Sequence, residues 1–420
     1  MPVRQALAAG DLAGFTALVR TAMGLSQLQF ASLVGWSQST VNRVENGTRH
    51  TLYDIRELLR FADAIDMPRH ALTPLLLGSP LAVKDIEGVY GDMEMDRRHF
   101  AAVLAGGLAT GVSWGSSSIP RRITPVQLRQ LDAVVRRLYA DDQRMGGRLL
   151  LPLALHQVTR VRRMLDEADY TEAIGRRLVS AAGALHLCAG WLAYDSGDHE
   201  LARRLYGEAA MYAEQAGDDE LRVNVASYRA MHAVRLARSR PGRAREALRA
   251  VLIGREAARR WATPRVHAVL AVREATAHAV LGDRTACRAA LAAAWREVER
   301  GPHDDDPDWT AFITEPTLTY FEGLTTMTLG SPVRAADRFQ RLLGEPAIGP
   351  RNRTYYHACL ATALLASGAK SEALTEGLAL LPHIGGSRRT LQELAPLRQA
   401  AGASSEFGHL YDRHLTDPIP

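Results

Sequence analysis

At 420 residues with 47% hydrophobic side chains, the chain is long enough for two or three folded domains, and its 6% aromatic content favours helices over sheets. The formal net charge of +5 permits a nucleic-acid partner without demanding one. Nearly all the positive charge is arginine, Lys84 and Lys370 being the only lysines. Cys188, Cys287 and Cys359 are far apart and sit in apolar helical stretches, which excludes a disulfide framework or cysteine metal site and predicts buried free thiols in a reducing cytoplasm. The opening stretch MPVRQALAAGDLAGF holds no apolar run long enough for a signal peptide.

Residues 1–78 predict five short helices. Asp11 caps a first helix with Phe15, Leu18, Val19 and Ala22 on its inner face. Ser26 caps a second bearing Leu28, Ala31 and Val34, and Ser37 a third with Val41 and Val44 turned inward. A fourth, from Leu52, carries Ile55, Leu58, Leu59, Ala62 and Ile65 and ends at Pro68, and a fifth carries Leu72 and Leu75. Within this set, Arg20–Arg49 reads as two short helices joined by a tight turn with a glutamine opening each, the layout of a helix-turn-helix.

With Ala31 in the second helix, Gly35 at the turn and the closing run Val44-Glu45-Asn46-Gly47, this stretch resembles the Cro/repressor class of helix-turn-helix domains, the XRE family. The resemblance implies that the third helix enters the DNA major groove. Gln38 and Ser39, at its N-terminal end, then reach base edges first. A glutamine can bond adenine N6 and N7 together, and Arg43, one turn on, guanine O6 and N7; Asn42 shares the face of Ser39. Gln27 and Thr40 are placed for phosphate, and Asn46 and Arg49 for clamping the DNA backbone. The family also implies an ion pair between Arg20 and Glu45 that holds Arg20 near phosphate. Trp36, where small or polar residues are usual, is expected to pack inward, the alternative being that it faces a thymine methyl. Residues 1–80 carry seven arginines against six acids, so specific contacts must outweigh bulk charge. Such domains act as twofold dimers, which predicts a homodimer on an inverted-repeat operator with half-sites about 34–36 Å apart or a multiple of it.

Residues 79–123 read as a linker with a short apolar helix. They include MDRRHFAAVLAGGLATGVSWGSSSIP, an arginine pair and apolar run like a twin-arginine export signal. It lies behind a complete DNA-binding unit, and the run from Phe100 to Trp114 is shorter than the ~20 residues that span a bilayer. The expectation is a packed or interfacial helix followed by a hinge at Ser116–Ser118 and Pro120, with no membrane partner.

Residues 124–420 read as helical hairpins. Gly197 precedes Ala202, Gly242 precedes Ala247, Gly330 precedes Ala335 and Gly368 precedes Ala373, with Gly282 and Ala286 a looser copy. The glycines are spaced 45, 40, 48 and 38 residues apart. Each glycine is expected to close a helix, and each alanine to let paired helices approach. The pattern resembles degenerate tetratricopeptide repeats in the segments 175–217, 219–261, 263–300, 309–344 and 351–384, with a closing helical pair to Leu415. The fold class expected is therefore all-α: a five-helix repressor-like domain followed by an α-solenoid.

On the predicted helix from Leu221 to Arg238, Asn224, Tyr228 and Arg235 share a face and His232 lies close to it. That face can grip a peptide backbone or a small molecule, though a solvated helix face is the first reading of such a pattern. His267, Arg273, His278, Tyr320 and Tyr356 are further candidates of the same kind. No phosphate-binding GxxxxGK[ST], no HExxH and no CxxC occurs, and SGAKS at Ser367–Ser371 lacks the phosphate-loop spacing. Asp304–Asp306 with Asp308 reads as a solvated loop. Neither an enzyme, a metal nor a cofactor is expected. The layout resembles peptide-sensing quorum regulators of Gram-positive bacteria and, in its arginine bias and loose repeats, actinobacterial regulators of antibiotic production and development. That resemblance implies a ligand-sensing transcription regulator, a repressor, at the nucleoid; a DNA-localised scaffold whose repeats hold a protein partner is the alternative.

Overall fold

The computed structural model describes residues 6, 11–48, 60–62, 64, 65, 119–346, 348–402 and 405–416. The chain divides into two compact units, Met1–Ile119 and Pro120–Pro420. Most of the predicted fourth helix, the fifth helix, Arg49 and residues 79–118 of the expected linker, with the twin-arginine-like segment, lie outside the described residues.

In the first unit three helices stand where their caps predict them: α1 (Leu12–Ala22), α2 (Gln27–Val34) and α3 (Gln38–Glu45). Asp11 accepts the Gly14 amide at 2.9 Å. Ser26 and Gln29 close a reciprocal capping box, at 3.0 and 3.3 Å, over the start of α2. Gly35 ends α2 with φ 72°, a left-handed value that an L side chain adopts only at a cost, so the sharp turn into α3 depends on glycine. Ser37 then caps α3, taking the Thr40 amide at 3.2 Å.

The core of this unit is an aromatic cluster. Phe15, Phe30 and Phe61 are fully buried, with Leu12, Val19, Ala31, Val34, Val41, Val44 and Ala62 around them. Trp36 stacks on Phe61 at 5.5 Å, packing inward as expected. The face of α2 departs from expectation, because Phe30 takes the core position and Leu28 is 64% exposed. Packing of Phe30 edge-on against Phe61 sets the rotation of the helix, and Leu28 then lies about 200° around from it. On α1, Leu12 and Thr16 are buried with Phe15 and Val19, Leu18 is half-buried, and Ala22 is exposed.

The second unit is a helical repeat solenoid, and the described residues contain no strand. It begins with α4 (Pro125–Met145), capped by Thr124, and α5 (Gly147–Glu167). Successive hairpins follow: α6 (Glu172–Asp195) with α7 (His199–Ala216), α8 (Asp219–Ala237) with α9 (Ala244–Ala258), α10 (Pro264–Val280) with α11 (Arg284–Glu299), α12 (Glu315–Thr328) with α13 (Pro332–Leu343), and α14 (Pro350–Ala366) with α15 (Lys370–Leu380). The first helices of neighbouring hairpins pack side by side, so α10 is buried along most of its length. Ala202, Ala247, Ala335 and Ala373 are fully buried at the helix crossings, as the spacing requires. Gly197, Gly282, Gly330 and Gly368 take left-handed φ of 86°, 76°, 78° and 93°. Gly242 does not; it lies in a 3-10 turn, Pro241–Arg243, where proline already fixes the chain direction. The chain closes with three short helices rather than a pair, α16 (Arg388–Glu393), α17 (Ala395–Ala401) and α18 (Glu406–Thr416), and α16 runs back against α6 and α14.

Candidate nucleic-acid interface

Gln38, Ser39, Asn42 and Arg43 are all exposed, on the side of α3 opposite buried Thr40, Val41 and Val44. Their spacing puts Gln38 with Asn42, and Ser39 with Arg43, one turn apart on a single face. Arg43 Nε donates to the Ser39 carbonyl at 3.1 Å, and no group among the described residues takes up its Nη atoms. An exposed row of one amide, one hydroxyl, a second amide and a guanidinium matches the donor and acceptor pattern that base edges offer in a major groove.

Behind this row lies a connected polar brace. Arg20 grips Glu45 with Nε to Oε1 at 2.6 Å and Nη2 to Oε2 at 3.3 Å, and Nη1 reaches the Leu25 carbonyl at 3.0 Å. The Arg20–Glu45 pair implied by resemblance is thus present, and the Glu45 side chain is only 7% exposed. Gln27 Nε2 donates to the same carboxylate at 2.7 Å. Asn42 Nδ2 approaches Gln27 Oε1 at 3.5 Å, and Asn46 Nδ2 donates to Asn42 Oδ1 at 3.0 Å. Sequence reasoning paired Glu45 with Arg20 but missed Gln27 as its second client, because the contact joins the start of α2 to the end of α3. Of the residues expected to face phosphate, Arg20, Gln27 and Asn46 meet in this brace. Thr40 does not; it is 8% exposed and its hydroxyl lies 2.8 Å from Ser37 Oγ inside the turn. Arg49 lies outside the described residues.

In the second unit the four candidates on α8 lie against neighbouring helices, His232 buried and the other three half-buried. Tyr228 is half-buried beside Trp191 and Tyr206, with ring centroids 5.9 and 6.0 Å away. His232 is buried against His199, Tyr194 and Tyr206. Burial, with His199 and neighbouring arginines, pushes the His232 pKa down to about 4, so its ring is neutral near pH 7. Asn224 is half-buried, and Arg235 is held by Gln392 of α16 at 3.0 Å. The further candidates separate by burial. Arg273 is buried, Tyr320 stacks on Tyr356 at 4.6 Å, His278 is half-buried and His267 exposed.

Sequence reasoning missed the charged knot that joins the two ends of the solenoid. Arg351 of α14 pairs with Asp142 of α4 and, at 2.7 Å, with Asp195 of α6. Trp191 Nε1 donates to Asp142 at 2.7 Å, and Ser387 Oγ to Asp195 at 2.9 Å. Burial raises the Asp142 pKa to about 6 against the opposing pull of Arg351. Arg389 lies 3.8 Å over the Tyr355 ring, and Arg238 pairs with Glu393 at 2.7 Å. No spacing signal along one helix could have found these groups, since each partner comes from a different hairpin. The string Gly111-Val112-Ser113-Trp114-Gly115 fits the Gly-x-Ser-x-Gly pattern of a nucleophile elbow, which needs a strand-to-helix turn; it lies outside the described residues.

The family model described as a helix-turn-helix domain matches residues 11–75. Those residues contain α1–α3, the brace and the exposed row. No curated protein and no solved structure matches the chain. No helix among the described residues is long and apolar enough to cross a membrane.

Proposed function

We propose that the chain, whose N-terminal unit carries a helix-turn-helix DNA-binding domain, is a sequence-specific transcription repressor that acts as a homodimer on an inverted-repeat operator. Its work is binding rather than catalysis, done at the nucleoid in the cytoplasm. The observation that carries this reading is the exposed row Gln38, Ser39, Asn42 and Arg43, held from behind by the Glu45 brace. Exposed polar side chains lose little entropy to a DNA site when the helix presenting them is already fixed. The repeat unit senses a peptide or small molecule through its interior face, where Tyr228 and His232 sit among aromatic rings. Ligand binding there alters operator affinity.

DNA fragments recovered with the protein from cells test the first part. Two inverted half-sites, with centres about 34–36 Å apart or a multiple, are expected. A common motif without twofold symmetry refutes the dimer, and recovery of fragments with no common motif refutes sequence-specific regulation. The sensing part is tested by titrating a metabolite or peptide extract and following affinity for a recovered fragment. A stable protein partner on the repeats, with unchanged DNA affinity, favours the scaffold instead.

A further inference from the structure

We infer that the interior of the repeat unit is a receptor for an anionic group, carboxylate or phosphate, on an aromatic or apolar organic ligand, with Arg273 as the charge that receives it. This inference names the ligand class for the sensing reading above and rests on that reading only for its effect at DNA.

Arg273 sits on α10, an inner helix buried along most of its length, and is 7% exposed. Its Nε donates to Ser227 Oγ of α8 at 3.1 Å. No carboxylate among the described residues pairs with it. Arg351 and Arg389, the other closely enclosed guanidiniums of the unit, are matched by acids, Arg351 by Asp142 and Asp195 and Arg389 by Asp195, and the more exposed Arg238 pairs with Glu393. Half-buried Arg160 also has no carboxylate partner among the described residues. The Phe312 and Phe321 rings stand 6.0 and 5.7 Å from the Arg273 guanidinium, and at that range they offset only a small part of its lost hydration. A cation removed from water with one neutral hydroxyl as partner is a standing penalty. An arriving anion removes it.

The surroundings suit such a guest. Burial pushes the Arg273 pKa down, and the phenols of Tyr228, Tyr320, Tyr194 and Tyr206 stand near enough to oppose that shift. Burial pushes the Tyr228 phenol up to about 12 and those of Tyr206 and Tyr320 well above the usual tyrosine range, so at pH 7 they are neutral donors. The Tyr206 hydroxyl is buried without a hydrogen-bond partner among the described residues, and so is Asn224 Oδ1, one turn before Tyr228 on α8. A guanidinium, a spare phenol donor and an amide acceptor, set among phenylalanine and tyrosine rings, favour a ligand with an acidic group and a flat or apolar body over a free inorganic ion.

The test uses the full chain, with tryptophan fluorescence and thermal unfolding as readouts. The probes are phenylacetate, phenyl phosphate, inorganic phosphate and the neutral phenylacetamide. Saturable binding of one or both aromatic acids, with a raised Tm and without a response to the amide, is the expected result. Arg273→Met should weaken that binding by about 30-fold or more. Without ligand it should unfold no earlier than the native chain, because it removes a charge that had no carboxylate partner among the described residues. An arginine serving structure alone would instead lower the ligand-free Tm when replaced. Arg273→Lys keeps the charge but loses the fork, and it carries the test if the methionine variant does not fold; weaker binding is expected. No acid binding, equal binding of acid and amide, or native affinity in the variants overturns the site. Affinity for a recovered operator fragment separates the two readings. Acid binding at Arg273 with unchanged DNA affinity refutes sensing and leaves the site standing, whereas a DNA response to a neutral ligand that survives Arg273→Met refutes the site and leaves sensing standing.

Discussion

Glu45→Gln isolates the brace behind the DNA-reading row. The substitution keeps the side-chain shape and one carbonyl acceptor but removes the charge that Arg20 grips through two nitrogens and that Gln27 meets at 2.7 Å. Hydrogen bonds to charged groups contribute about 1.5–3 kcal/mol each, and breaking one side of a buried pair costs about 3–5 kcal/mol. Arg20 is 22% exposed, so water takes up part of its freed charge, and the net loss comes to about 2 kcal/mol. Hydrogen exchange read on peptides from residues 12–45 of the full chain measures that loss locally, independent of the repeat unit. Arg20→Met added to Glu45→Gln should recover part of it, because the stranded cation goes too. A loss below about 0.5 kcal/mol, the size for an exposed pair, would refute the buried-hub argument. DNA affinity should fall for every sequence and base choice should relax as well, since the brace joins Asn42 of the reading row to the phosphate-facing Gln27 and Asn46.

Three further outcomes follow from named contacts. Gln38→Ala and Arg43→Ala should each remove about 1–3 kcal/mol of specific DNA binding and relax base choice, whereas Gln27→Ala should weaken all sequences alike; gel shifts on matched and altered operators distinguish them. Between pH 4 and 6.5 the unfolded chain protonates His232 more readily than the folded one, so this residue withdraws about 3 kcal/mol of stability as pH falls through that window, and His232→Gln should flatten that slope in denaturant unfolding. Asp142 acts oppositely: its folded pKa of about 6 lies above the ordinary 3.8, so its contribution declines as pH rises across that range, and the native chain should show a flatter acid limb than the His232 shift alone would give. Gly190→Ala places a methyl 2.6 Å from the Tyr206 ring, where α6 and α7 meet closely, and should cost about 1–3 kcal/mol, read as a lowered Tm.

The caps of the first unit were legible because each is a local chemical event: Asp11, Ser26 and Ser37 accept amides three residues ahead, and sequence alone displays that spacing. The rotation of α2 was not. In eight residues it carries Leu28, Phe30, Ala31, Leu33 and Val34, an apolar set spread almost all round the helix, and only Phe61, more than twenty-five residues on, selects Phe30 for the core. The base-reading row was legible since its residues share one short helix. On α8, the shared face of Asn224, Tyr228 and Arg235 could be read from spacing, but whether it met water or protein was decided by partners on α6, α7 and α16. The charges around Trp191 were illegible for the same reason in stronger form.

Where hairpins touch only their neighbours, each can form as soon as it is made and can come apart alone. The Arg351–Asp142 pair spans 209 residues and the Ser387–Asp195 bond 192, so the acids of the first hairpins find their partners only when the last have been synthesised. At the ~5–20 residues per second of translation, Asp142 waits roughly 10–40 s for Arg351. During that time an open helical coil carries buried-type carboxylates with no cation to meet them. Closure then couples the ends, so a truncation in the last hairpin is felt in the first, and the coil unfolds as one body instead of fraying repeat by repeat.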